Sequence, residues 1–568
     1  METKRFVLLD VDYVIGYSRP VIRLFGKILT DNRSIIARDP HFQPYLYLLP
    51  RDLEECITDL NKFEPPKIEK LRRKDNDGRL KDFLKVTLNH PQEILPLKKQ
   101  LQNLKSVEAV REYDIPYPQR YLIDKDLYPL AVVEVQGKVL TNREVCLMEI
   151  QEDPRRVKSP SPSLNILSFK METAQKKPRV RSDPVILMAF SSNQGFQKVF
   201  STTPSSSELV ETVDDEKELL ERFVKTIKSL NPDIITGYNS DKYDFPYLKG
   251  RADLLGVPLK LGVDGSPLKF MTLPKKSAAI KGRVHIDLYR VTRRHLQLTE
   301  HTLQCVYQEL CGEEKLDIPL DQLGTYGGDE KLLRYSLEDT RAINQIGEKM
   351  LPLVMEIARL VGLSLFDVTR RGSGYQVEGL LMRKAYQYGY VVPNKSGTYL
   401  RDVVGGHVDE PVPGLHENIF YFDFRSLYPS IIVAKNISPD TLTRDENEKC
   451  HVTPEFGYRF RKEPVGFIPR VTAQVLKDRI RIKNQMKRTR DPGQRQILDF
   501  RQQALKVFIS TIYGLFNHST YRWYSIESSE AITAWGRDFL KNTMEKAEKQ
   551  GFKVVYADTD GFYATLKD

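Results

Sequence analysis

A multidomain chain combining α/β and α+β folds is predicted by three observations. It has 568 residues, its apolar strand-like runs alternate with amphipathic helical stretches, and a Pro- and Ser-rich break falls at 151–163. A chain of this length exceeds a single hydrophobic core, and at ~150 residues per domain it holds about four. Residues 1–120 carry strand-like runs at Phe6–Val11, Tyr45–Leu49 and Phe83–Leu88 and a charged helical stretch near 92–105, which predicts a β-rich N-terminal domain. The break at 151–163 reads as a linker or mobile loop. From 164 a second α/β unit begins, with strands at 164–169, 185–190 and 233–236, a helix at 214–230, and a closing helix from 330 to about 350.

The remainder reads as a third region. Residues 418–432 form an apolar strand ending at Asp423, followed by a helix start near Tyr428, Pro429 and Ser430. Two helices, 471–490 and 494–513, are joined by Asp491-Pro492-Gly493 into an antiparallel hairpin with a basic face. Residues 553–565 read as two strands around a tight Asp558-Thr559-Asp560-Gly561 turn. A strand that delivers Asp423 alongside that turn would gather three carboxylates. Such a set suits Mg²⁺, which takes oxygen donors and favours one or two carboxylates together with substrate phosphates. Taken singly, each acid reads equally well as a turn former or cap.

Composition narrows the partners. Lys plus Arg number 87 against 76 Asp plus Glu, a net charge of +11, which suits a polyanion whose counterions are released on contact. No run of ~18 apolar residues offers a membrane span, and the N-terminus lacks a signal-peptide pattern, so the expectation is a soluble protein with no membrane partner. The five cysteines, Cys56, Cys146, Cys305, Cys311 and Cys450, form no metal or disulfide pattern.

Ser-Leu-Tyr-Pro-Ser-Ile at 426–431 and Tyr-Ala-Asp-Thr-Asp-Gly at 556–561 resemble the two metal-binding palm motifs of family B DNA polymerases, the archaeal replicases above all. The resemblance extends to 366–370, 417–419, 436–442 and Trp535-Gly536-Arg537. It implies template-directed DNA synthesis with two Mg²⁺ ions held by Asp423, Asp560 and the Phe424 backbone, with Asp558 shaping the local field. Tyr428 would be a steric gate against a 2′-hydroxyl. Arg479 and Lys483, four apart on one helix face, and Lys506 on the other helix would grip the triphosphate. Tyr513 and Gly514 would pack the base pair. Ser510-Thr511 and Asn517-His518 depart from the family's finger pattern, and Val403 stands where many relatives place a tyrosine before Gly405-Gly406. Weaker nucleotide grip and weaker coupling of polymerising and editing modes are therefore expected.

In the second unit, 238–246 and 335–339 resemble the second and third motifs of a DnaQ/RNase H-like 3′-5′ exonuclease. Glu172, Asp244 and Asp339 match its carboxylates and Tyr335 the residue that orients water. Lys170 stands where the family has an aspartate bridging both metals. An ammonium cannot ligate Mg²⁺ and repels it, so impaired proofreading is expected, with rescue by a neighbouring acid such as Asp183 left open. Tyr13, Pro44, Pro91, Ile94, Pro116 and Tyr117 match the region where archaeal relatives hold template uracil, although the same residues also read as a small β-domain core.

The implied domains are a uracil-sensing domain at 1–158 with 352–394 packed back on it, an exonuclease-like domain at 159–351, palm at 395–470, helical-hairpin fingers at 471–518, and an incomplete antiparallel palm sheet at 519–568 with the thumb missing. The last strand, 561–566, is expected to leave an unpaired sheet edge. The implied partners are primer-template DNA, dNTPs, a sliding clamp, and a second polypeptide carrying the remaining palm and the thumb. The implied location is the cytoplasm of an archaeal cell, beside its nucleoid. The rival readings are a catalytically weakened structural paralogue, a nuclease alone, and an RNA polymerase, the last disfavoured by Tyr428.

Overall fold

The computed structural model describes residues 1–16, 19–160, 163–173, 175, 177–272, 275–314, 330–395, 397 and 402–566. The chain divides into two units, one of 1–42 and 124–371 and the other of 43–123 and 372–568. Residues 1–158, expected as one domain, thus contribute to both.

The first unit contains two six-stranded sheets. One is built from strands between Glu2 and Arg156 and folds the N-terminal hairpin, Glu2–Gly16 with Arg19–Ile28, onto Val132–Asn142. The segment expected as a linker contributes a short strand here: Arg155–Arg156 pairs with Glu134 and Val133, and Arg155 also meets the Glu134 carboxylate at 2.8 Å. Positions 161–162 of that segment lie outside the described residues.

The other sheet has the order 210–212, 197–201, 185–192, 166–173, 234–237, 284–287, with antiparallel pairing among 197–201, 185–192 and 166–173 and parallel pairing from 166–173 through 234–237 to 284–287 and between 197–201 and 210–212. Its core is aromatic: Phe169 meets Phe223 at 5.4 Å and Phe245 at 5.1 Å in edge-on geometry. Alternation along Ile166–Thr173 sends Phe169 and Met171 into that core and Lys170 and Glu172 to the other face. The closing helix runs Glu330–Val361, longer than expected, because its apolar stripe continues through Leu353, Val354, Ile357, Ala358 and Val361, and Pro352 is accommodated within it.

The second unit holds a four-stranded sheet (67–74, 80–87, 45–50, 107–111) and a region built around a three-stranded antiparallel sheet. That sheet has the order Phe420–Asp423, Gly561–Leu566, Phe552–Asp558. The strand expected at its edge, 561–566, is central, because it pairs with Phe420–Asp423 on one side and closes the hairpin on the other. The exposed strand is Phe420–Asp423 instead. The helical hairpin is Phe467–Arg488 and Pro492–Phe516, with Asp491 capping the second helix by accepting the Gln494 N–H at 2.7 Å and Pro492 at its first position. Helix Ile526–Lys549 packs on strand Phe552–Asp558.

Among the described residues, no helix is long and apolar enough to cross a membrane.

Candidate active sites

In the second unit, strand register does what the sequence required. Asp423 lies opposite Gly561, and Gly561 lies opposite Asp558, so three strand ends meet at the Thr559-Asp560 turn. The Phe424 N–H donates to the Asp560 carbonyl at 2.7 Å, which ties the Asp423 strand end directly to the turn. Only glycine allows this approach, since a Cβ on Gly561 would sit 2.8 Å from the Phe422 carbonyl oxygen. Thr559 adopts φ 52°, a costly conformation for a β-branched residue. Its N–H donates to the His407 carbonyl at 2.7 Å and its hydroxyl to Asp558 at 2.8 Å, and these bonds hold the strained turn in place.

Burial, and then the negative charges of Asp423 and Asp558, raise the pKa of Asp560. The three carboxylates therefore feel one another, and a divalent cation would relieve that repulsion. The donors are all oxygen. Among the described residues, no group of three or more His, Cys, Asp or Glu side chains is arranged to hold a metal ion by itself. The fit is to Mg²⁺ held by few carboxylates and completed by phosphate oxygens.

Helix Leu427–Ala434 begins one residue earlier than expected, after Ser426 in the left-handed region at φ 54°. Tyr428 follows, and its ring packs 4.8 Å from that of Tyr513 on the second hairpin helix. Burial pushes the Tyr428 phenol up to about 12. Two glycines make the space for this ring. A Cβ on Gly536 would lie 3.0 Å from it, and one on Gly406 would lie 3.1 Å from its hydroxyl and 2.9 Å from Thr559 Oγ1. Ser529 donates to the Tyr513 hydroxyl at 3.3 Å.

On the helical hairpin, Arg479 reaches across to Gln502, with Nε 3.4 Å from Oε1. Gln502 is oriented by donating to Asp499 at 2.8 Å. Burial and the nearby Arg425 lower the Arg479 pKa. Lys506 is one turn toward Tyr513 from Gln502, and Lys483 one turn toward the tip from Arg479, each about 6 Å along its axis. The three cations thus line a stretch of the hairpin rather than one point. Ser510, where the finger pattern departs, returns its hydroxyl to the Lys506 carbonyl at 3.0 Å.

Sequence reasoning gave no role to Gln502, Gly536 or Arg537. Arg537 donates to the Val404 carbonyl at 3.1 Å and to Glu455 at 3.0 Å, so it anchors the segment that carries Gly405 and Gly406. The Trp535-Gly536-Arg537 run was the available signal, but its meaning depends on what lies across from it.

The first unit gathers the second set of carboxylates. Lys170 lies 3.0 Å from Glu172, bonds Asp339, and sits 4.8 Å over the Tyr335 ring. Burial opposes its charge, but Asp339, Glu172 and Tyr335 outweigh it and raise its pKa well above the ordinary value. Asp244, first residue of helix Asp244–Leu254, is pushed up to about 7 by burial, and Lys170 only partly offsets this. Asp183, the acid named for a rescue, accepts the Arg179 N–H at 2.7 Å in its own turn.

The template-reading residues are divided. Tyr13 belongs to the first unit and Pro44, Pro91, Ile94, Pro116 and Tyr117 to the second. Ile94 is a core residue, packed in a cluster with Leu46, Leu48 and Leu84, and Tyr117 is also buried. Both face the interior.

Residues 364–567 match the family model described as DNA polymerase family B, and residues 108–306 that described as DNA polymerase family B, exonuclease domain. The chain is 36% identical to a DNA polymerase of Thermococcus gorgonarius, across 99% of this chain and 71% of that protein. It is 36% identical, with the same coverage, to DNA polymerase 1 of Pyrococcus abyssi. The solved family B DNA polymerase of the hyperthermophilic archaeon Pyrobaculum calidifontis superposes with a TM-score of 0.86 at 31% identity, over 99% of this chain and 74% of that one.

Proposed function

The chain belongs to family B of the DNA-directed DNA polymerases, with relatives in archaea, and on that premise we propose that it adds dNTPs to a primer 3′-hydroxyl by two-metal nucleotidyl transfer at Asp423 and Asp560. The observation that carries this reading is the register that brings Asp423, Asp558 and Asp560 to one turn. Two Mg²⁺ ions, when bound, supply activation of the 3′-hydroxyl and charge neutralisation of the leaving pyrophosphate. Asp423, Asp560 and the Phe424 carbonyl would hold them, and Asp558 would shape the local field. Arg479, Lys483 and Lys506 draw the triphosphate along the hairpin. Tyr428, braced by Tyr513, excludes a 2′-hydroxyl, and Tyr513 packs the nascent base pair.

The exonuclease-like domain, 159–351, is impaired on this reading. Support comes from the ion pairs of Lys170, whose fixed positive charge stands among the carboxylates a metal would need. The domains 395–470 and 519–568 serve as palm and 471–518 as fingers. A partner polypeptide covers the open edge of the sheet. The exposed strand Phe420–Asp423 supports this, since Phe420 and Tyr421 are 43% and 55% exposed at an open edge. Template-uracil sensing by the N-terminal region rests on the sequence resemblance alone.

Mg²⁺-dependent primer extension, by the chain alone and mixed with a thumb fragment from a relative, tests the proposal. Extension that disappears in Asp423→Ala supports it. A complex that binds primer-template yet extends nothing under either condition favours the structural paralogue.

A further inference from the structure

The two helices of the basic hairpin begin in different ways. Pro492–Phe516 is capped by its own neighbour, Asp491, which accepts the Gln494 N–H. A cap of that kind satisfies the helix without fixing it to anything else. Phe467–Arg488 has Gly466 at its cap, which offers no side chain. Its first amides are taken instead by a remote segment. The Gly466 N–H donates to Asn436 Oδ1 at 2.9 Å, the Phe467 N–H to Asp440 Oδ2 at 2.9 Å and the Ile468 N–H to Ser438 Oγ at 3.4 Å. Pro469 has no N–H to satisfy, and the Arg470 N–H returns to the Gly466 carbonyl at 3.1 Å. Alternate side chains of 436–440 therefore account for the amides that a helix start leaves without intrahelical partners.

This cradle is held from behind. Asn436 donates its amide to the Arg461 and Pro464 carbonyls at 2.7 and 3.0 Å, and Arg461 donates to the Asp440 carbonyl at 2.6 Å. The Tyr390 hydroxyl donates to the Asp440 carboxylate at 3.2 Å. Gly466 leaves room for the approach, since a Cβ there would stand 2.6 Å from Thr441 Cγ2 and 3.1 Å from Ser438 Cβ. Next to it the Phe467 ring stacks on Trp523 at 5.6 Å and lies 5.1 Å from Tyr390. The Asp440 carboxylate also meets the positive end of the helix dipole.

The segment 436–440 follows directly on the helix Leu427–Ala434, which begins just beyond Asp423. Asp423 and Arg479 are thus joined through a helix, the cradle and a second helix. Arg479 lies about 18 Å along the axis from Phe467. A tilt of roughly 3° at the cradle would move it by about 1 Å, and misplacement of that size can cost a reaction about 100-fold.

We propose that Asn436, Ser438 and Asp440 are positioning residues for nucleotide binding: they set where the hairpin stands relative to the carboxylate turn, and so where Arg479 and Lys483 meet the triphosphate. The inference rests on the polymerase reading of that turn. The three act through the helix whose amides they hold, not on the reacting atoms.

The test is single-nucleotide insertion by the full chain mixed with the thumb fragment, comparing Asp440→Ala, Asp440→Asn and Asp491→Ala with the parent. Asp440→Ala should raise the KM for dNTP about tenfold with kcat within about threefold, and should weaken inhibition by inorganic pyrophosphate to a similar degree. Asp440→Asn keeps an acceptor for the Phe467 N–H and should recover most of the loss. Asp491→Ala removes a comparable cap from the far end of the hairpin and should leave KM within about twofold, which separates placement from stability. Should Asp440→Ala fail to fold, Ser438→Ala, which removes only a hydroxyl, carries the comparison with a KM rise of about threefold. A KM unchanged in the cradle variant, or shifted equally in Asp491→Ala, would overturn the proposal. A parent that extends nothing would instead sink the polymerase reading, and this inference with it.

Discussion

The ammonium of Lys170 lies 3.0 Å from the Glu172 carboxylate and also bonds Asp339, a side chain only 1% exposed, so one protein cation bridges two acids from distant segments. The pair is local in space and remote in sequence. It joins the strand Ile166–Thr173 to the helix Glu330–Val361, which gives Lys170 a structural role.

Lys170→Met should therefore destabilise the protein, by about 1–3 kcal/mol, because it leaves the Asp339 carboxylate buried without its counter-charge. The raised pKa of Lys170 sets the pH range of this effect. A lysine whose folded pKa exceeds its unfolded one contributes fully below the unfolded value and loses that contribution as pH rises through the folded value. Thermal unfolding should show a constant penalty from pH 6 to 9. A penalty that vanishes at neutral pH would contradict the assignment.

Lys170→Asp should open a metal-dependent 3′-5′ excision activity, since it removes one positive charge and adds an oxygen donor beside Glu172 and Asp339. Single-turnover degradation of a mismatched 3′ end with Mg²⁺ is the measurement. Lys170→Ala serves as the comparison and should remain slow.

Gln502 orients Arg479 across the helical hairpin. Gln502→Ala should raise the KM for dNTP severalfold while changing kcat less, because the amide positions a binding group and does not touch the reacting atoms. Steady-state insertion of a single nucleotide separates the two constants. A loss confined to kcat would assign Gln502 elsewhere.

Gly536→Ala should press on the Tyr428 ring, 3.0 Å from the added carbon. Either the ring moves or the helix does. The expected outcome is about a tenfold fall in kcat/KM for dNTP, equivalent to about 1.4 kcal/mol, with altered selection against ribonucleotides. Insertion kinetics with dNTP and NTP report both, and unchanged kinetics would show that Tyr428 is not held from that side.

His285 is buried, and burial lowers its pKa from 6.5 to about 3 despite the nearby Asp241. Its Nδ1 lies 3.0 Å from the Arg370 guanidinium and 3.3 Å from the Ala278 carbonyl, and its Nε2 lies 2.9 Å from the Ser240 hydroxyl. The unfolded chain takes up a proton below pH 6.5 and the folded one does not until about pH 3. Stability present above pH 6.5 is therefore lost as pH falls through that window. His285→Gln should be less stable at neutral pH but flatter between pH 6.5 and 4 in a series of thermal melts. Parallel curves would argue against the neutral imidazole.

Much of this molecule was legible in its sequence because the signals were local. The Asp558-Thr559-Asp560-Gly561 turn follows from short-range backbone rules and stands where it was expected, and the break between the two hairpin helices falls at Asp491, the first residue of the expected turn. The sequence by itself also determined the chemistry on offer: paired carboxylates, a basic hairpin, and a lysine among acids.

Only the tertiary structure decided which strand lies at the edge of the three-stranded sheet. Strand order depends on pairing between Phe420–Asp423 and Gly561–Leu566, more than a hundred positions apart, and no periodicity encodes that choice. It likewise decided that Ile94 and Tyr117 face inward, that Gly536 lies against Tyr428, and that Gln502 meets Arg479. Those relationships arise from packing between distant segments, where the identity of a residue matters less than what the fold sets opposite it.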